Sequence, residues 1–305
     1  MNESVVTIKN FTKTYDDFVA VNRISFEVGR GEIFGLLGPN GAGKTTTLEC
    51  LEGLRQPDAG TMQILDVDPQ REPGKLRNLI GVQLQTSSLP DNMTVEESMK
   101  IFSAYHGVSP QDDLLSRMGL EEKRNTQYHQ LSTGQQRRLA LALALNHDPQ
   151  VIILDEPTAG LDVASRTELH SMMQELKSQG TTLILATHDM AEAEKMTDRI
   201  AILLRGEIVA TGSPRELTAK GSGLTKVSVS TEGSILHQYS DTFPAVTQQG
   251  VNEEYTIYFS TDPGPTVSAI LNYLATHEDK LIDLRVERPS LEERFLEITS
   301  EGGTQ

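Results

Sequence analysis

The sequence predicts an α/β fold built on a mainly parallel sheet, followed by a small α+β domain. Three short, largely apolar runs, at residues 32–37, 151–154 and 182–186, have helical segments between or after them. This alternation is typical of parallel strands that are buried between helices. Beyond residue 224 the apolar residues alternate with polar ones, as in half-buried strands, and helical segments interrupt them.

Chain length and charge bear on the number of domains and on possible partners. At 305 residues the chain is long for one compact domain. We expect a main domain over residues 1–220, with a helical part at about 86–147, and a smaller domain over 224–305. The net charge is −16, and residues 224–305, with five basic and thirteen acidic side chains, contribute −8 of it. This charge disfavours nucleic acid and anionic membranes as direct partners.

Local patterns predict the first elements of the main domain. Residues 3–9 and 24–28 favour strands, and residues 61–65 predict another. A helix is expected over residues 45–54, which makes Cys50 a small core residue. Because a single cysteine cannot form an internal disulfide, the chain suits a reducing compartment.

The rest of the main domain has two further signals. Thr94 and Glu97 form a capping box before a helix, and residues 139–145 form a strong alanine- and leucine-rich helix. Residues 200–204 and 207–210 predict a closing hairpin, because Arg205 and Gly206 separate two short apolar segments.

Three sets of alternating apolar residues predict strands beyond residue 224. These sets are Val227 with Val229, Tyr255 with Ile257 and Phe259, and Ile282 with Leu284 and Val286. Helices are expected over residues 266–276 and 290–299, the second opened by Pro289 and a Ser290/Glu293 capping box. A glycine- and serine-rich linker is expected at residues 220–223.

A glycine-rich segment directly after the run 32–37 predicts a phosphate-binding loop of the pattern G-x-x-x-x-G-K-[ST]. Its residues are Gly38, Pro39, Asn40, Gly41, Ala42, Gly43, Lys44 and Thr45, followed by Thr46. Backbone N–H groups of such a loop and the positive end of the next helix hold phosphate oxygens. Lys44 would reach the outer phosphates, and the Thr45 hydroxyl would ligate magnesium.

Two carboxylates and a histidine follow the other two buried runs. Asp155 and Glu156 come after the run 151–154, and His188 follows 182–186. In an open parallel sheet the carboxyl ends of the strands are where ligands bind. Asp155 suits a magnesium contact, and Glu156 suits activation of the attacking water. Alone, such a pair more often caps a helix and a lone histidine lies on the surface, so these predictions depend on the phosphate loop.

Five motifs in order carry a resemblance to the ATP-binding-cassette ATPases, over about residues 3–217. They are GPNGAGKTT, Gln85 in IGVQLQ, LSTGQ at 131–135 where the family usually has LSGGQ, ILDEPTAGLD, and ATH. The resemblance implies a P-loop NTPase core with an antiparallel β subdomain and an α-helical signature subdomain. It also implies ATP hydrolysis with ATP and Mg²⁺ as cofactors.

The same resemblance implies roles for individual residues. Those implied in catalysis are Glu156, His188, Lys44 and Gln85, and those implied at magnesium are Thr45, Gln85 and Asp155. The family's head-to-tail dimer implies that Ser132, Gly134, Gln135 and Asp162 contact the nucleotide held by a second ATPase subunit. Thr133 replaces the usual glycine, and its side chain would narrow the signature loop. Tyr15 lies where the family places an aromatic residue that stacks on adenine, with Phe11 and Phe18 as neighbouring alternatives.

Three functional interpretations compete within the family. A degenerate, non-hydrolysing module is excluded because Lys44, Asp155, Glu156 and His188 are all present. A soluble ATPase acting on ribosomes or DNA is disfavoured, because the chain has one cassette, no long coiled coil and an acidic balance. The energy-supplying subunit of an exporter is favoured, because residues 289–298 resemble the C-terminal extension of drug-resistance exporter ATPases.

The exporter interpretation needs a separate membrane-spanning subunit. The longest apolar run, residues 139–145, is far shorter than the roughly 20 residues that cross a bilayer. The N-terminal residues carry no basic stretch followed by an apolar core, so no signal peptide is predicted. We therefore expect a cytoplasmic protein that a permease holds at the membrane face.

Overall fold

A computed structural model of the chain describes residues 3–85, 89–111, 113–219, 224–238, 242–252, 254–288 and 290–301. These residues form two compact units, Met1–Pro214 and Arg215–Gln305. The expected linker at 220–223 and Pro289 lie outside the described residues.

Among its described residues the first unit contains nine strands, seven α-helices and two 3₁₀ helices (Glu121–Lys123 and Tyr128–Gln130), and an eighth α-helix, α8, begins at its last residue. The strands are β1 (Ser4–Tyr15), β2 (Phe18–Gly29), β3 (Ile33–Leu37), β4 (Ala59–Ile64), β5 (Ile80–Gln83), β6 (Val151–Asp155), β7 (Thr182–Thr187), β8 (Arg199–Leu204) and β9 (Glu207–Gly212). The helices are α1 (Lys44–Leu51), α2 (Pro73–Leu79), α3 (Val95–His106), α4 (Leu114–Arg117), α5 (Thr133–Leu145), α6 (Val163–Ser178), α7 (Met190–Met196) and α8 (Pro214–Ala219).

The central sheet has the strand order β5-β6-β7-β3-β8-β9, and every pair is parallel except the β8–β9 hairpin. Every residue of β3, β6 and β7 is buried, because one face of the sheet packs against helices α3–α7 and the other against α1 and the strands β1, β2 and β4. Leu37 pairs with Thr187 and Asp155 with Ala186, so these three strands end at the same edge. The segments that follow them therefore emerge side by side, as the sequence predicts.

A second, antiparallel sheet has the order β2-β1-β4. Its two long strands extend well beyond the predicted ranges 3–9 and 24–28. The register between β1 and β2 shifts at several points, and Asn10 and Arg23 adopt a positive φ. These irregularities interrupt the apolar alternation while the pairing continues, which explains why the sequence pattern predicts shorter strands.

The helical part, expected at about 86–147, contains α3, α4 and α5. The Thr94/Glu97 capping box is present at the start of α3. The short elements α2 and β5, which lie just before this part, were not predicted. β5 has only four residues, and a side chain at its Gly81 would meet the carbonyl oxygen of Ala144 at 2.2 Å. So short a strand with a central glycine leaves no recognisable β pattern.

The second unit contains a four-stranded antiparallel sheet with the order β11-β12-β10-β13. The strands are β10 (Thr225–Thr231), β11 (Val246–Val251), β12 (Thr256–Ser260) and β13 (Leu281–Glu287), and the helices are α9 (Pro263–Thr276) and α10 (Leu291–Glu301). Val227, Val229, Tyr258, Ile270 and Leu274 are central to its core. The Ser290/Glu293 hydrogen bonds of the predicted capping box are present.

Two features of the second unit differ from the sequence pattern. β11 was not predicted, because polar residues and Gly250 fill most of it. In β12 the buried side chains belong to Thr256, Tyr258 and Ser260, whereas the alternating apolar residues that predicted the strand are only partly buried. The alternation of apolar residues therefore predicted the position of the strand correctly, but it did not predict which face of the strand is buried.

Candidate nucleotide-hydrolysing site

The segment between β3 and α1 forms the predicted phosphate loop. Gly43 has φ +104°, and a Cβ there would meet the carbonyl oxygen of Ala20 at 2.7 Å, so only glycine fits this position. The loop lies beside a cavity of about 440 Å³. The predicted loop residues that line this cavity are Asn40, Gly41, Gly43, Lys44, Thr45 and Thr46. Gly38, Pro39 and Ala42 complete the loop behind that lining, and Ala42 packs into the core.

Lys44 is buried and is held by its own loop. Its Nζ donates hydrogen bonds to the carbonyl oxygens of Gly38, at 2.8 Å, and Pro39, at 3.2 Å. The same nitrogen lies 3.7 Å from Glu156 Oε1. Burial lowers the pKa of Lys44, while the neighbouring Glu156 and Asp155 carboxylates oppose that effect. The ammonium group of Lys44 therefore lies buried beside the cavity, where it would attract the negatively charged phosphates of a nucleotide.

Asp155 at the end of β6 has one oxygen paired and one unpaired. The Thr45 hydroxyl donates to Asp155 Oδ2 at 3.0 Å. Asp155 Oδ1 is buried and has no hydrogen-bond partner among the described residues. Burial raises the pKa of this carboxyl group, because nothing fully compensates its charge. An unpaired carboxylate oxygen beside a hydroxyl fits the oxygen ligands that Mg²⁺ prefers.

Glu156 connects the phosphate loop to His188. Its side chain is 7% exposed, and its carboxylate lies 2.8 Å from His188 Nδ1. The backbone of Glu156 has φ +50°, and its N–H donates to the carbonyl oxygen of Ala186 in β7. A positive φ is uncommon outside glycine, so tertiary contacts hold the carboxylate in this position. The structure thus brings together Lys44, Glu156 and His188, which lie far apart in sequence.

Aromatic residues and Gln85 line the cavity opposite the phosphate loop. Tyr15 lines it, with the cations of Lys13 and Arg55 5.5 and 5.4 Å from its ring centroid. Phe18 also lines the cavity and is 63% exposed, whereas Phe11 is fully buried and cannot meet a ligand. Gln85 lines the cavity as well, at the border of residues 86–88, which lie outside the described residues.

The signature residues have capping roles within this chain. Ser132 is the N-cap of α5, where its hydroxyl accepts from the Gln135 N–H and the Gln135 side chain accepts from the Ser132 N–H. Asp162 is the N-cap of α6 and binds both the N–H and the hydroxyl of Ser165, each at 2.9 Å. A side chain at Gly134 would meet Ser165 Oγ at 2.5 Å. The starts of α5 and α6 therefore pack directly together.

These signature residues do not share the cavity with the phosphate loop. Among the described residues, those that line the cavity come from the phosphate loop, from β1 and β2, and from Gln85 and Glu156. Ser132, Gly134, Gln135 and Asp162 are not among them. His188 reaches the site only through its hydrogen bond to Glu156.

One buried carboxylate was missed by the sequence analysis. Glu192 is 3% exposed and accepts hydrogen bonds from Thr158 at 2.7 Å and Thr187 at 2.8 Å, with His170 Nε2 at 3.0 Å. It joins the segment after Glu156 to the end of β7, just before His188. In the sequence it could be predicted only as a residue in the first turn of a helix, because its partners come from other segments.

Comparisons with known proteins identify the family of this chain. The family model described as ABC transporter matches residues 21–159. The Nod factor export ATP-binding protein I of Ralstonia nicotianae is 35% identical over 312 residues, which cover 97% of this chain and 94% of that protein. This chain belongs to the ABC transporter family. It is an ABC ATPase, and its fold and motifs are those of that family's ATP-binding proteins.

Other similar proteins share the main domain of this ABC ATPase. The probable multidrug ABC transporter ATP-binding protein YbhF of Escherichia coli is 40% identical over 226 residues. That match covers 72% of this chain but spans only 39% of the length of that relative. A solved ATP-binding subunit of an ABC transporter is 28% identical, with a TM-score of 0.66, covering 71% of this chain and 92% of that one.

A solved dimeric ATP-binding cassette, in a post-hydrolysis state bound to ADP and Pi, is 28% identical with a TM-score of 0.61. That comparison covers 68% of this chain and 98% of the cassette. Within the described part of this ABC ATPase, no helix is both long enough and apolar enough to span a bilayer.

Proposed function

We propose that this ABC ATPase hydrolyses ATP as a pair of chains and drives export through a separate membrane-spanning subunit. The observation that carries the proposal is that the residues expected to contact ATP lie in two separate places on one chain. Residues of the phosphate loop, Glu156 and the aromatic residues Tyr15 and Phe18 line one cavity, while the signature residues lie outside it. A second chain that offers its own Ser132 and Gly134 would complete the site, as the solved dimeric cassette suggests.

Within that site each residue has a chemical task. Lys44 and the loop N–H groups would bind the outer phosphates, and Tyr15, or its neighbour Phe18, would stack on adenine. Thr45, Asp155 and Gln85 would hold Mg²⁺, which would neutralise phosphate charge when bound. Glu156 would orient and activate the attacking water, and His188 would hold Glu156 from the opposite side. The N-terminus of the other chain's α5 would face the terminal phosphate.

Mixing two inactive variants tests the shared site. Lys44→Ala damages the phosphate loop, and Ser132→Asp places a negative charge against the phosphate while keeping an N-cap residue. Each variant alone is expected to be inactive. A one-to-one mixture should regain about a quarter of the wild-type ATPase rate, because half of the dimers are mixed and carry one intact site.

Ser132→Asn is the matched control, since it caps the helix equally well without the charge. Gly134 is unsuitable for this purpose, because any side chain there would strike Ser165. A mixture that stays as inactive as its components, with both variants folded, would overturn the shared site.

The first unit has a groove in which the proposed membrane-spanning partner would bind. A cavity of about 470 Å³ lies between the end of α1, α2, β5 and the C-terminal parts of α3 and α5. Leu54 and Tyr105 line it and are 66% and 61% exposed, and the Arg77 guanidinium lies 4.8 Å from the Tyr105 ring centroid. An apolar surface of this kind, next to Gln85, suits an amphipathic segment of a permease.

Two half-buried histidines and a half-buried glutamate, His106, His147 and Glu52, line this groove. His106 and His147 stack at 3.7 Å between ring centroids, and burial lowers the pKa of His106 to about 4. Burial also raises the pKa of Glu52 to about 7. Burial lowers the pKa of His147 as well, so the uncharged form of both histidines is favoured in this groove.

Tyr105→Glu tests the groove. The change adds a charge that a permease segment would have to desolvate, while Arg77 beside it can still pair with the new side chain. We expect the fraction of the chain that sediments with membranes of its host to fall at least about fivefold, with the ATPase rate of the free chain unchanged. Val209→Glu, at a residue 42% exposed on β9, is the control. An unchanged membrane-bound fraction would contradict docking at this groove.

A further inference from the structure

The second unit has an edge strand whose sequence is complementary to itself. β13 pairs with β10 on one side, and no strand among the described residues pairs with its other side. Antiparallel pairing of β13 with a second β13, centred on Leu284, would place Ile282 opposite Val286 and Asp283 opposite Arg285. Within residues 282–286, apolar residues would therefore meet apolar residues and Asp283 would meet Arg285, whereas at the two ends of the strand Leu281 would lie opposite Glu287.

The exposure of β13 is consistent with such pairing. Ile282 and Val286 are 62% and 49% exposed, and Ile282 lies at the register shift between Leu281 and Asp283, where it has no partner in β10. Val286 pairs with the buried Val227 and Leu284 with the buried Val229, so this face continues the core of the unit. A second β13 would extend that core across the interface and cover Ile282 and Val286.

The charged side chains lie on the opposite face and are placed symmetrically about Leu284. Arg285 Nε donates to Asp283 Oδ2 at 2.8 Å, and the Tyr255 hydroxyl donates to the same carboxylate at 2.7 Å. Both charged side chains are more than one third exposed, so they can exchange this local pair for a pair with another chain. Charges on an edge strand normally prevent pairing, but here their signs alternate in the order that self-pairing requires.

The other edge of the same sheet lacks these properties. β11 has the sequence VTQQGV, with no charged residue and a central glycine. Its register with β12 shifts between Val246 and Gln248, and the register of β13 with β10 also shifts, between Leu281 and Asp283. The two edges therefore differ in charge, because β11 has no charged residue whereas β13 carries Asp283 and Arg285 on either side of Leu284.

We propose that the second unit associates with a second copy of this chain through antiparallel pairing of their β13 strands, in register about Leu284. The partner in this contact is a second copy of this chain, as it is in the proposed shared site. The surface is separate, however, and needs no nucleotide. This pairing would keep two copies of the chain in contact between rounds of ATP hydrolysis.

Register-specific crosslinking tests the pairing in the full-length chain without nucleotide. Leu284→Cys should form an intermolecular disulfide under mild oxidation, because each Leu284 faces its own copy. Ile282→Cys alone should not, because the two copies of residue 282 would lie about 13 Å apart along the strands. A mixture of Ile282→Cys and Val286→Cys chains should crosslink. The native Cys50 is buried and its pKa is raised to about 11, so it does not compete.

Charge variants give a second readout, by sedimentation over a range of concentrations. Arg285→Asp leaves the Asp283–Tyr255 bond in place but makes both cross-chain charge pairs repulsive. It should weaken self-association roughly tenfold, and the swap Asp283→Arg with Arg285→Asp should restore it. Lys280→Asp makes the same change of charge in an exposed pair outside the strand and should have little effect.

The outcomes separate this pairing from the shared ATP site. The pairing would be overturned if Leu284→Cys failed to crosslink more than Ile282→Cys, and Arg285→Asp associated like the wild type. An ATP-induced dimer of Glu156→Gln chains would persist in that case. Loss of the ATP-induced dimer with crosslinking at Leu284 retained would instead contradict the shared site.

Discussion

Replacing Glu156 with glutamine should leave ATP binding intact and lower the ATP hydrolysis rate at least about 100-fold. Glutamine has the shape of glutamate and can still hydrogen-bond to His188, but it cannot accept a proton from water. Glu156 is the carboxylate in the cavity lining, and Lys44 and His188 hold it from two sides. The bound ATP should then persist and hold two chains together.

Phosphate release, nucleotide binding and sedimentation with ATP measure the three parts of this expectation. Glu122→Gln, at an exposed residue in another part of the unit, controls for the loss of one negative charge. The neutral side chain also removes an ion-pair partner from the buried Lys44, so the nucleotide-free variant should melt at a lower temperature. A wild-type turnover rate in Glu156→Gln would show that Glu156 is not the general base.

Replacing Lys44 with alanine should weaken ATP binding at least about 100-fold, because charge-assisted hydrogen bonds to phosphate are lost from a buried site. In the chain described here, Lys44 Nζ donates to the Gly38 and Pro39 carbonyl oxygens. Phosphate binding requires the lysine to redirect these bonds toward the ligand. Equilibrium binding of a fluorescent ATP analogue measures the affinity.

A Lys44→Met variant separates charge from packing. Methionine fills most of the same buried volume without the ammonium group, so it should keep the fold and lose the affinity in the same way as alanine. Lys195→Ala, at an exposed residue of α7, is the control for a lost positive charge. Retained affinity in folded Lys44→Met would contradict the phosphate-binding role of this residue.

Much of this arrangement could be predicted from the sequence because its signals are local. The runs that became β3, β6 and β7 are apolar throughout, and glycine, carboxylates and histidine mark their ends. Parallel pairing then brings Lys44, Glu156 and His188 to one edge without further information.

Other features depend on contacts that no local pattern shows. Glu192 receives hydrogen bonds from Thr158, Thr187 and His170, each from a different segment. The close contact of Gly134 with Ser165 depends on the packing of α5 against α6. From the sequence alone, the glycine at position 134 would be explained equally well by a phosphate group that has to approach the backbone closely.

The contact between the starts of α5 and α6 has a thermodynamic consequence. Ser132, Gly134 and Asp162 are fixed by hydrogen bonds and packing within one chain, before a second chain arrives. In the proposed pair of chains, association would therefore immobilise few additional side chains, and little conformational entropy would be lost. A larger part of the free energy of contact between these residues and the nucleotide would then contribute to holding the two chains together.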